Sequence, residues 1–168
     1  MILSCIPTLT LSVIFMTTYK EDIRTKNLSL HDIHVGDWVQ AWDDVTKRYT
    51  PPEKITAIFD DGTVYTEIDP EQGDPFEYDI SEIDGLPITS ELLLGFGFEI
   101  KSNICFYGDP ISLVVITDLG LGNNRVVYID RSNDSVYLDG ITYMHELQQE
   151  IRKASDYIGT FNPQWKGV

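Results

Sequence analysis

Basic residues are missing from the middle of this chain. Between residues 55 and 100 there is no Lys or Arg, against twelve Asp and Glu, ten of them between Asp60 and Asp84. Over all 168 residues, 12 Lys and Arg face 27 Asp and Glu, a formal net charge of −15. A nucleic-acid binder needs a basic face for phosphates, so the balance argues against that class. It also disfavours anionic membrane surfaces. Cysteine is scarce: Cys5 and Cys105 are too few for a secreted disulfide scaffold, so a reducing, cytoplasmic compartment is expected. There is no Gly-x-Ser-x-Gly elbow and no phosphate loop ending in Lys-Ser/Thr.

A long apolar run is also lacking. Residues 2–16 carry no charge, but the stretch is shorter than the ~20 residues of a membrane helix and contains Pro7. It has neither the basic start nor the small-residue cleavage site of a secretory signal. Met16 opens a more ordinary N-terminus, MTTYKEDIRTK. An over-extended reading frame and a real anchor or signal are both open readings. A chain starting at Met16 is expected to fold as well as the full one.

What is present reads as a globular α+β protein. Hydrophobic residues make up 42% of the chain. A chain this long buries roughly 68–70% of its unfolded surface and needs no metal or disulfide to fold. Residues 35–42 (VGDWVQAW) open a strand after Gly36, which is free to bend. Residues 54–59 and 63–68 alternate about Asp60-Asp61-Gly62, and Asp-Gly between β-rich runs signals a hairpin. Residues 76–80 supply a short closing strand. An SH3-like small β-barrel over residues 28–85 is the expectation.

Thr89 or Ser90 then caps a short helix, Leu92, Leu93 and Phe96 form its apolar face, and Gly97 ends it. Five strands follow, at 98–101, 104–107, 111–117, 125–130 and 135–138, an antiparallel meander. A last helix over 142–158 carries Tyr143, Leu147, Ile151, Ala154 and Ile158 as its buried stripe. Residues 86–158 thus form a helix–meander–helix unit, and 159–168 read as a frayed tail.

Each chemical constellation has a plainer reading. His145-Glu146 starts the zinc-protease pattern, but position 149 is Gln, so half the ligands are missing and the pair reads as polar residues facing water. His31, His34 and Asp37 lack a fourth ligand, and the two histidines read as surface residues. Residues 69–74 (DPEQGD) miss the EF-hand pattern and could hold Ca²⁺ only adventitiously. Residues 120–124 (GLGNN) read as a loop between strands. Cys105 sits among apolar neighbours and reads as a buried thiol. No metal and no cofactor is expected. Trp38 and Trp42, four apart on one strand face, divide between core and edge.

Three blocks carry a resemblance. They are residues 32–39 (DIHVGDWV), residues 86–98 with Leu-Pro-Ile-Thr and Gly-Phe-Gly-Phe, and residues 143–148 (YMHELQ). In this order the chain resembles a group of uncharacterised small proteins of phages, prophages and mobile elements of gut bacteria. That group has no established activity, so the resemblance implies a context and no mechanism. The chain departs from it in its apolar leader and acidic middle.

The reading that unites these features is a non-enzymatic interaction module, an accessory protein of a phage or mobile element. It would meet a protein partner with a basic surface through Trp42, Asp69, Glu71 and Asp74. Two rivals are a metal-dependent hydrolase using clustered carboxylates and a pocket protein that sequesters a small ligand. A deep cavity lined by Lys101, Arg125 or Arg131 would favour the second.

Overall fold

The computed structural model describes residues 28–68, 73–102, 104–109, 112–117, 124–129, 135–154 and 163–167. The apolar leader, Asp69, Glu71 and the 120–123 loop lie outside them. The architecture is α+β, with a curled antiparallel sheet that forms a half-barrel, a second antiparallel sheet and two α-helices.

Local polar bonds shape the entry to the first strand. Asp32 accepts from the backbone N–H and hydroxyl of Ser29, and Asp37 Oδ2 accepts from His34 N at 2.8 Å. Gly36 then takes φ +91°, a region open to glycine at little cost. Strand β1 (Trp38–Asp43) follows and pairs with β3 (Glu53–Ile58) near its start, β6 (Ile83–Gly85) along its middle and β2 (Arg48–Tyr49) near its end. The hairpin from β3 to β4 (Thr63–Glu67) turns at Gly62, φ +96°, with Thr63 N bound to Asp61. A register shift between Ile55 and Ala57 bends β3, as a bulge does. Strand β5 (Phe76–Asp79) ends the order β2-β1-β3-β4-β5, and a 3₁₀ turn capped by Asp79 and Glu82 leads into β6.

Helix α1 (Ser90–Gly95) starts where Thr89 Oγ1 accepts from Leu92 N, and Gly97 leaves it at φ +83°. The second sheet is a sequential meander: β7 (Glu99–Lys101), β8 (Ile104–Asp109), β9 (Ser112–Thr117), β10 (Asn124–Ile129) and β11 (Ser135–Ile141). Helix α2 (Met144–Ala154) packs on β11 and β1. The expected continuation to 158 lies outside the described residues.

Strand β1 is covered on both faces. Val39 and Ala41 point into the half-barrel core with Ile33, Ile55, Val64 and Ile83. Trp38 points the other way, into the larger core of α1, α2 and the meander, against Leu93, Phe96, Met144 and Leu147. That double coverage explains the run WVQAW, which alternates residue size but never turns a charged face to water. Cys105 is buried in the larger core, where loss of water pushes its thiol pKa up, as expected of an unreactive thiol.

Two expectations are corrected here. The tail does not fray over 163–167: Trp38 Nε1 donates to the Pro163 carbonyl at 2.9 Å, Lys166 N donates to Gly95 O at 2.8 Å, and the Trp165 ring meets Phe96 edge-on. The buried face of α2 is also wider than its apolar stripe. His145 and Gln148 are buried beside Leu147 and Ile151, because Gln148 serves the backbone of the first strand.

Candidate functional site

Two surfaces carry unusual chemistry. The first is the outer face of β3, β4 and β5. Alternation along β4 sends Val64 and Thr66 inward, where both are fully buried, and leaves Thr63, Tyr65 and Glu67 outward. Register sets Glu77 opposite Tyr65 and Asp79 opposite Thr63. The Tyr65 hydroxyl donates to Glu77 Oε2 at 3.1 Å, and that bond pushes the phenol pKa up. Phe59, 46% exposed, packs edge-on against Tyr65 with ring centres 5.3 Å apart. Asp61 and Asp79 complete the rim, each with its carboxyl pKa held down by hydrogen bonds, from Thr63 and Ser81 respectively. The result is an aromatic pair flanked by carboxylates.

The inner side of the same edge holds a buried acid. Glu53 accepts hydrogen bonds from the hydroxyls of Thr66 and Tyr78. Burial, then the Glu53 charge, drives the Tyr78 phenol far above its ordinary range, so it stays a donor. Phe76 stacks on Tyr78 and is itself half exposed at the strand edge.

The second surface is a cleft of about 170 Å³ between the 28–32 turn and the first turn of α2. Asp32, Tyr143, His145, Glu146 and Gln149 line it. Glu146 Oε2 accepts from Thr142 N and Tyr143 N, which caps the helix and fixes the carboxylate at the rim. Gln149 Nε2 donates to the Asp32 carbonyl and to Asp37 Oδ2, tying the cleft's two walls together. Beneath lies Asp37, fully buried and paired with Arg152 Nη1 at 2.8 Å. The His145 ring is 3% exposed and stacks on Tyr143, 5.7 Å away at 18°. Its Nδ1 is buried with no hydrogen-bond partner. Burial pushes the imidazole pKa below its ordinary value, against the raising influence of Glu146, Asp37 and Asp32. Both rings nest against Gly85, where a Cβ would come within 2.7 Å of Tyr143 Cδ1 and 3.0 Å of His145 Cε1.

The residues expected from sequence fall as follows. Trp42 is 8% exposed, its ring shut against Tyr49 and its Nε1 bound to Asp44, so it offers little to a partner. Asp74 is exposed in the approach to β5, while Asp69 and Glu71 lie outside the described residues. His31 and His34 are exposed as expected, and Asp37 is an interior anchor. His145 does not face water as a polar cap; it is buried. Lys101 is exposed beside Glu99 on β7, and the Arg125 and Arg131 side chains lie outside the described residues. Sequence reasoning missed Phe59, Tyr65 and Glu77. Their signal was the alternation about the Asp-Gly turn, which assigns Val64 inward and Tyr65 outward.

No three His, Cys, Asp or Glu side chains converge as a metal-holding set among the described residues. No helix among them is long and apolar enough to cross a membrane. No protein-family model matches the chain, and no curated protein or solved structure matches it either.

Proposed function

We propose that this chain is a non-enzymatic interaction module whose half-barrel, of SH3-like type, grips a basic segment of a protein partner. Its context would be that of an accessory protein of a phage or mobile element, as the three sequence blocks imply. One observation carries the reading: the Phe59–Tyr65 pair stands half exposed on the sheet, with Glu77 bonded to Tyr65 and no basic residue from 55 to 100. Rings flanked by carboxylates suit Lys and Arg, whose heads lie over aromatic faces and whose charge is met at the rim. A negative field over such a patch also speeds encounter with an opposite charge.

The test is selection of peptides from a random displayed library on the immobilised full chain. Enriched peptides should carry Lys or Arg, bind less tightly as salt rises, and lose affinity for a Tyr65→Ser/Glu77→Gln variant. Enrichment of peptides without basic residues, or affinity unchanged in that variant, would remove this face from the binding function.

A further inference from the structure

The meander has apolar residues at the positions of both its faces. In an antiparallel sheet with one face in water, apolar and polar residues alternate. Strands β8 (ICFYGD), β9 (SLVVIT) and β10 (NRVVYI) do not alternate, which is the mark of strands covered on both sides. The inner face is accounted for, since Cys105, Val114, Ile116 and Val126 are buried in the larger core. On the outer face Phe106 and Val115 stay half-buried, Ile104 is 37% exposed and Tyr137 is 75% exposed. Register sets Glu99, Phe106, Val115, Val127 and Tyr137 in one row from β7 to β11. The next row, two residues along, runs from Lys101 and Ile104 at one edge to Arg125 and Asp139 at the other. In a chain of net charge −15, the outer positions of this sheet hold two acids and two bases, Glu99, Asp139, Lys101 and Arg125. The face is therefore charge-balanced, with an apolar middle and charges toward its edges.

We infer that this face is a homodimer interface, on which a second copy of the chain packs sheet to sheet. A two-fold axis along β9, the middle strand, exchanges β7 with β11 and keeps each row over itself. Lys101 then faces Asp139 of the second copy, and Asp139 faces its Lys101. Glu99 faces the Tyr137 hydroxyl, the Phe106 ring faces the position of Val127, and Val115 faces itself. An isologous contact requires this self-complementarity. The same axis keeps the strands of the two sheets nearly aligned, as in sandwiches whose sheets stack about 10 Å apart. The apolar residues 2–16 are a rival cover for the face, but they bring no charge to Glu99, Lys101 or Asp139, whereas a second copy brings the opposite charge to Lys101 and Asp139. Lys101 and Asp139 of one chain lie on opposite edge strands, four strand spacings or about 19 Å apart, too far to pair with each other.

Sedimentation of the full chain over a wide concentration range decides it and should show a reversible monomer–dimer equilibrium. Tyr137→Ser changes an exposed position, so it should fold and weaken the dimer. Lys101→Glu and Asp139→Lys are also exposed changes, and each should weaken the dimer about tenfold, because each sets like charges against one another at both symmetric contacts. Mixed in equal amounts, these two variants should associate again, since each supplies the charge that the other needs. The Lys101→Glu/Asp139→Lys variant should regain the natural affinity. Given the distance between the two positions within a chain, such rescue reports contact between chains. A monomer at every concentration would overturn the proposal and leave the face to residues 2–16 or another segment of the same chain. A dimer indifferent to Tyr137→Ser and to both charge changes would overturn it too, as its interface would lie elsewhere. So would weakened single variants that show no rescue on mixing.

Discussion

Arg152 Nη1 lies 2.8 Å from Asp37 Oδ1, and this contact clamps the last helix to the turn before the first strand. The two partners are unequal: the Asp37 side chain is fully buried, while that of Arg152 is 35% exposed. Removing Arg152 leaves a buried carboxylate that, among the described residues, keeps His34 N, Gln149 Nε2 and the His34 ring 3.8 Å away. Arg152→Met is expected to cost about 2 kcal/mol, or about 4–8 °C in melting temperature. Asp37→Asn/Arg152→Met should cost less than the sum of the single changes, because the double variant leaves no uncompensated charge. Thermal melts of the four proteins check the cycle.

Gly95 is where the tail lands. A Cβ there would come within 2.1 Å of Trp165 Cζ3, so Gly95→Ala must lift the ring off Phe96. The variant should show a red-shifted tryptophan emission and a lower melting temperature. Trp165→Ala should lower it by a similar amount. The combined variant should add little, since both act on one contact.

Acid should weaken the fold through His145. Its folded pKa lies below the ordinary imidazole value, because burial outweighs Glu146, Asp37 and Asp32. Between the folded value and about 6.5 the unfolded chain binds more protons, so stability falls as pH falls through that window. Above it the contribution is fully present. Urea unfolding at stepped pH values should show a shallower slope there for His145→Gln than for the natural chain.

Gly85→Ala tests how closely the Tyr143 and His145 rings pack on β6. The added methyl must push the Tyr143 and His145 rings away from β6, since their atoms lie 2.7 and 3.0 Å from its position. Melting should fall by a few degrees.

Charge on the β4–β5 side should govern association rate. Asp74 and Glu77 are exposed, so Asp74→Asn/Glu77→Gln should fold normally. With Asp69→Asn and Glu71→Gln added, a basic partner peptide should associate more slowly at low salt. At physiological salt, where screening sets in beyond ~8 Å, the difference should shrink. Stopped-flow kinetics at two salt concentrations measure it.

Most elements were legible because their signals are local, but the short strands β2 and β6 were not. Gly62 and Gly36 sit at positive φ where the turn chemistry asks for glycine, and Thr89, one of the two expected caps, starts the helix. All five meander strands appear, with ends shifted by at most three residues. The buried polar groups were not legible. Gln148 bonds Trp38 N across 110 positions, and Asp84 takes the Tyr49 hydroxyl across 35. No pattern within a window of the sequence distinguishes such a Gln from one facing water. The same is true of Trp42, whose burial depends on Tyr49 and Asp44 closing over it. The cleft was invisible for a related reason, since its walls come from opposite ends of the described chain.

Because β1 is walled on both sides, its Trp38 face has a waiting time during synthesis. The half-barrel partners of β1 all lie within the first 85 residues, so that side can close early. Trp38 and its backbone N–H must wait for Gln148 and Pro163, which emerge from the ribosome more than a hundred residues later. At ~5–20 residues per second that is roughly 5–25 s with an indole and one unpaired backbone N–H open to solvent. The nascent chain is thus most prone to misassociation in its second half of translation, and the closing step is the arrival of α2.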